Sequence, residues 1–264
     1  MALKNISNVL TSLNLLCGFS AIFLAFEGKI LYAFYFVVLG LIFDLLDGRV
    51  ARALKISSKF GIEFDSMADL ITFGVAPSMI LYNAFLKHVE FGKIIAFVQT
   101  LAVAIRLSRF NVGSSEKPKE YFEGMSSPMG AFFLSSAVLI VDLYKFSFPY
   151  FEIIFTVFVF AVGFLEVSNI KFRSFKEVKF SPYFLFIPPV LLWLLIFKQK
   201  LFLILVFIAV SAYIIYNVVF ENYGKGLHIR HYLKGRRAST GLLDDGRGKS
   251  KDGVSSGEAR SRHN

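Results

Sequence analysis

Residues 44–69 read DLLDGRVARALKISSKFGIEFDSMAD, and this stretch decides the fold. Its informative positions are D-x-x-D-G-x-x-A-R, eight further residues, then G-x-x-x-D-x-x-x-D. Asp44, Asp47, Gly48, Ala51, Arg52, Gly61, Asp65 and Asp69 hold the fixed places. Four carboxylates therefore interrupt a very apolar chain. An acid at the centre of a membrane helix costs roughly 2.5–3.5 kcal/mol on insertion scales, so four together point to function. Asp44 and Asp47 are spaced i, i+3, and Asp65 and Asp69 are spaced i, i+4. Each pair thus projects from one helical face. Two such faces opposed make an all-oxygen cage, the donor set that suits magnesium, manganese or calcium.

Outside this stretch the chain reads as membrane-embedded. Of its 264 residues 55% are hydrophobic and 17% aromatic, 32 are Phe, and the mean hydropathy is +0.60. Charged residues are 18%, against about a quarter in soluble domains. The predicted fold class is all-α: a polytopic membrane helix bundle of about eight transmembrane helices with a disordered cytoplasmic C-terminal tail. The candidate spans are 8–26, 30–54, 64–87, 91–111, 128–144, 148–168, 181–197 and 201–220. Pro188-Pro189 is expected to kink the seventh. No cleavable signal peptide is expected at the start. Cys17 stands alone, which excludes an intrachain disulfide and leaves a small apolar helix residue.

Lys and Arg positions orient the bundle. With the N-terminus in the cytoplasm, the inner loops hold Lys4, then Arg49 to Lys59, Arg106 to Lys119 and Lys171 to Lys179. The outer loops hold only Lys29, Lys87, Lys93, Lys145, Lys198 and Lys200. This bias predicts a multi-pass protein of the cell membrane with both termini and the aspartate stretch on the cytoplasmic side. The net charge of +10 is read as positive loops facing anionic headgroups. No basic stripe interleaved with aromatics supports a nucleic-acid partner. Residues 1–222 form the expected transmembrane domain, and 223–264 a basic, largely disordered cytoplasmic tail rich in Gly, Ser, Lys, Arg and Asp. Glu166 and Asp142, near helix ends, read as interfacial.

The eight fixed positions resemble the signature of the CDP-alcohol phosphatidyltransferases at the family's spacing. The resemblance implies an integral-membrane enzyme that moves a phosphatidyl group from a CDP-linked lipid to an alcohol and releases CMP. It implies that Asp44, Asp47, Asp65 and Asp69 hold divalent cations, Mg2+ or Mn2+ and two per site. It also implies that Asp69 is the catalytic base that takes the proton of the attacking hydroxyl. Two metals about 3.5–4 Å apart can clamp both phosphates of the donor. Gly48, Ala51 and Gly61 are small enough for close approach of the CDP-lipid, and Arg52 suits bidentate phosphate contact.

Further strings resemble the membrane-embedded phosphatidylserine synthases within that family. They are Asn8-x-x-Thr11-x-x-Asn14-Leu-Leu-Cys-Gly18, Arg106-Leu-Ser-Arg109-Phe-Asn111, Gly124-Met-x-x-Pro128 and Ser174-Phe-Lys176. The implied partners are CDP-diacylglycerol, L-serine and membrane lipids, with a homodimer allowed by small residues on helix faces. Asn8 and Thr11 are candidates for CDP-lipid binding at the cytidine. Arg106, Arg109, Lys171 and Lys176 are candidates for acceptor or phosphate binding, because zwitterionic serine needs a clamp for its carboxylate. Alternatives are another acceptor (glycerol phosphate, inositol phosphate or choline) or an ether-lipid donor. A cation transporter is a remote alternative, since transporters place such acids near the midplane.

Deleting residues 238–264 is expected to leave folding and CMP release nearly unchanged. The segment lacks the apolar surface to offset its ordering entropy. Activity of the truncated, detergent-purified protein checks this, and its loss would assign the tail to the site.

Overall fold

The structure, a computed structural model, describes residues 2–54, 58–113, 121–145, 150–173 and 199–219. Seven helices run through them: α1 (Ala2–Phe26), α2 (Ile30–Leu54), α3 (Lys59–Leu86), α4 (Gly92–Gly113), α5 (Ser127–Tyr144), α6 (Phe151–Val167) and α7 (Gln199–Tyr216). The all-α expectation holds, with one addition that the sequence reading lacked. Strands β1 (Tyr121–Glu123) and β2 (Lys171–Arg173) pair antiparallel, with Phe122 opposite Phe172. This ribbon ties the α4–α5 connection to the end of α6.

Six of the helices are long and apolar enough to cross a membrane. The other, α6, has 17 residues, about 25 Å at a rise of 1.5 Å per residue. Expected and observed spans agree closely at 30–54 and 128–144. The first and third helices begin earlier than expected, at Ala2 and Lys59. The expected span 181–197 with Pro188-Pro189, the tail 223–264 and Lys176 lie outside the described residues.

Local chemistry sets the helix ends. Gly28 has φ +75°, and Gly28 N–H and Lys29 N–H donate to Ala25 O and Leu24 O at 3.0 and 2.9 Å. That is a Schellman stop, which needs a residue at ease in the left-handed region. Ser58 opens α3 by accepting from Gly61 N–H at 3.0 Å. Gly61, expected to leave room or break the loop, thus sits inside the first turn. Gly124, at φ +78°, turns the chain into α5, whose first turn carries Pro128.

Apolar side chains cover the outside of the bundle as well as filling its core. Ile153, Val157, Phe160 and Phe164 form an exposed apolar stripe on α6, and Leu16, Phe19, Phe23 and Phe26 form another on α1. Exposed apolar stripes on long helices face lipid: this is a membrane protein. Inside, Ala21 and Ala25 of α1 pack with Ala33, Phe34 and Val37 of α2 and with Phe73, Ala76 and Ile80 of α3.

The first three helices come closest where side chains are smallest. A Cβ added at Gly18 would fall 2.8 Å from Thr72 Cα, and one at Gly40 would fall 2.6 Å from Thr72 Cγ2. Thr72 Oγ1 donates to Asn14 O at 3.0 Å across the same crossing. Gly18 lies one turn from Asn14, Gly40 one turn from Asp44, and Thr72 less than one turn from Asp69. The tight crossing therefore draws the carboxylates together. Helix α3 also changes pitch here: residues Leu70–Val75, directly after Asp69, form a π-helical segment. Such insertions re-aim the side chains beside them and recur at functional sites.

Candidate active site

Asp44 and Asp47 leave α2 towards α3, and Asp65 and Asp69 leave α3 towards α2. One carboxylate oxygen from each of Asp44, Asp47 and Asp65 lies within 4.8 Å of the others. Asp47 is only 3% exposed, and Thr11 Oγ1 donates to its Oδ2 at 2.7 Å. Asp69 stands beside the trio and accepts from Asn14 Nδ2 at 3.1 Å. Asp65 Oδ1 and Asn14 Oδ1 are buried with no hydrogen-bond partner among the described residues. A desolvated carboxylate oxygen without a donor is costly, and gathering three carboxylates adds repulsion. A divalent cation removes both penalties, and the all-oxygen donor set fits one.

The remaining candidates fall into three groups. Arg52 lies over Gly48: a Cβ there would meet Arg52 Nη1 at 3.4 Å, so the missing side chain leaves the guanidinium room beside the acids. Ala51 stands half-buried in the same turns of α2. Asn8 lies near the start of α3, its Oδ1 3.6 Å from where a Gly61 Cβ would be. The hydroxyl of Thr11, a candidate for the cytidine, faces Asp47 and orients that acid.

The two arginines of α4 part company. Arg106 turns inward: its Nη1 donates to Ser127 Oγ at 2.9 Å, and its buried Nε has no partner among the described residues. Arg109 is exposed and donates to Val167 O, to Asn169 Oδ1 at 2.6 Å and, as an ion pair, to Glu123 at 3.6 Å. It clasps the end of α6 to β1 and lines an open groove with Phe164 and Ile170. Lys171 lies exposed on β2.

Two further residues stand out in the structure: one joins the site and one lies apart from it. Asn14 contacts Asp69, and its place one turn after Thr11 on the same helix face is the signal that marks it. Glu166, read as interfacial, is instead 1% exposed and accepts from Gln99 Nε2 at 3.0 Å. Its sequence position near a helix end does not reveal this, because its partner Gln99 lies on another helix, 67 residues away. Asp142, read as interfacial, pairs with Lys145 at 2.8 Å.

Fold and site together define a class: a membrane helix bundle with a carboxylate centre at the crossing of its first three helices. Residues 4–162 match the sequence model of the CDP-alcohol phosphatidyltransferases, and the chain belongs to that family. It is similar to the CDP-diacylglycerol–serine O-phosphatidyltransferase of Helicobacter pylori, 40% identical over 215 residues, covering 80% of this chain and 89% of the relative. The protein of the same name from Bacillus subtilis is 37% identical, covering 62% of this chain and 87% of its own. That from Methanocaldococcus jannaschii is 33% identical, covering 65% and 75%.

Proposed function

We propose that this protein transfers the phosphatidyl group of CDP-diacylglycerol to the hydroxyl of L-serine, forming phosphatidylserine and CMP. The observation that carries the chemistry is the convergence of Asp44, Asp47 and Asp65, with Asp69 beside them. The names of the relatives support serine as acceptor. The serine Oγ–P bond forms as the bond from that phosphorus to the CMP oxygen breaks. The serine hydroxyl proton passes to Asp69, a general base in this reading. Mg2+ or Mn2+, two per site and held by Asp44, Asp47, Asp65 and Asp69, supplies charge neutralisation for the pyrophosphate when bound.

The protein's own groups do the rest. Thr11 fixes the orientation of Asp47, and Asn14 that of Asp69. Arg52, with Gly48, Ala51 and Gly61, holds the donor's phosphates, and Asn8 borders the nucleotide. The site faces the cytoplasm together with both termini, and residues 1–222 carry the activity. Lipids surround the bundle, and a homodimer belongs to the same reading, checked by mass measurement in detergent. CMP release from CDP-diacylglycerol with a panel of alcohols tests the acceptor. Preference for glycerol 3-phosphate over serine would refute it.

The divided arginines sharpen that test. Arg106→Ala is expected to raise the KM for serine about 10- to 150-fold, the worth of a charged hydrogen bond, and to change the donor KM much less. Arg109→Ala is expected to lower the melting temperature and change the serine KM less than Arg106→Ala does, since its donors hold α6. Steady-state kinetics of both variants check this, and a donor KM that rises alone would move Arg106 to the phosphate site.

A further inference from the structure

Glu166, Gln99 and Arg106 form a second polar cluster, between α4, α5 and α6. Glu166 Oε1 takes the Gln99 amide, while Oε2 is buried with no partner among the described residues. A Cβ at Gly130 would collide with this carboxylate, so the glycine is the gap in α5 that the acid fills. Arg106 is the cation whose charge acts on Glu166, yet among the described residues no ion pair joins them and Arg106 Nε has no partner. The π-helical segment that follows Asp69 packs against α4, the helix that carries Gln99 and Arg106. A buried carboxylate without a counter-ion is costly in a membrane helix and marks a functional group. Two side chains of opposite charge, each incompletely bonded among the described residues, are complementary to a molecule carrying both charges.

Resting on the serine reading above, we propose that Arg106 and Glu166 form a zwitterion pocket that takes the carboxylate and the ammonium of an α-amino-acid acceptor. An amino acid carries both groups on one carbon, so a single molecule completes both side chains. Gln99 and Gly130 hold the Glu166 carboxylate in place. The same carboxylate repels phosphorylated acceptors, which adds selection against glycerol phosphate and inositol phosphate.

The test uses the full chain in detergent with CDP-diacylglycerol and Mn2+ or Mg2+. Serine is compared with 3-hydroxypropionate, which lacks the ammonium. Glu166→Gln keeps shape and the Gln99 bond but removes the charge. It is expected to raise the serine KM about 10- to 150-fold, leave the CDP-diacylglycerol KM unchanged and narrow the preference for serine over 3-hydroxypropionate. Glu166→Asp, which keeps the charge, is expected to recover part of the serine affinity. It also serves as the second variant if Glu166→Gln fails to fold. An unchanged serine KM and preference in Glu166→Gln, with wild type active on serine, overturns the pocket alone. Donor and serine KM rising together in both variants assigns Glu166 to packing and overturns it too. Wild type inactive on serine instead refutes the serine reading, and the pocket with it.

Discussion

Asp69→Asn is expected to lower turnover by about 10²- to 10⁴-fold, the usual share of general-base catalysis. The substitution is close to isosteric. An asparagine carbonyl can still accept the Asn14 amide that Asp69 accepts at 3.1 Å, so the crossing of α1 and α3 keeps its bonds. Lost is the proton acceptor for the serine hydroxyl, a poor nucleophile without one. Asp69 also stands outside the close trio of oxygens, so the substitution leaves that trio intact. The donor is therefore expected to bind nearly as well as in wild type. Single-turnover CMP release and donor binding measured together check this. A near wild-type rate would remove Asp69 from the role of base.

Exhaustive chelation is expected to reduce CMP release to background, and added Mg2+ or Mn2+ to restore it. Asp65 Oδ1 is buried without a partner among the described residues, and three carboxylate oxygens lie within 4.8 Å of one another. Without a cation these charges repel and desolvate one another. Asp47→Asn is expected to weaken metal binding as well as turnover, since Asp47 is the most buried of the trio and is oriented by Thr11. Direct titration with Mn2+, followed by its paramagnetic signal, reads the binding apart from activity. Full activity in the metal-free protein would refute the metal assignment.

The aspartate stretch was legible because helix periodicity is local. Spacings of three and four set Asp44 with Asp47 and Asp65 with Asp69 whatever surrounds them. The helix from Ile30 to Leu54 was legible for a related reason, since a long apolar run must satisfy its own backbone in lipid. The two short strands were not legible. Tyr121–Glu123 and Lys171–Arg173 pair only because α4, α5 and α6 bring their ends together, and three-residue strands carry too little pattern to detect. Arg106 and Arg109 look equivalent in sequence at i, i+3. Their different partners, Ser127 for one and the end of α6 for the other, come from neighbours 21 or more residues away.

The sequence by itself determined that this is a helical membrane protein of the CDP-alcohol phosphatidyltransferase family and which four acids lie at its centre. Composition, periodicity and motif spacing are properties of the chain read in order. Only the tertiary structure decided how close those acids come, through the crossing at Gly18, Gly40 and Thr72 and the π-helical segment after Asp69. It alone turned Thr11 onto Asp47 and Asn14 onto Asp69, and it alone buried Glu166 against Gln99. Each of these contacts joins different helices. Its distance depends on crossing geometry and side-chain volume, which local sequence rules do not encode.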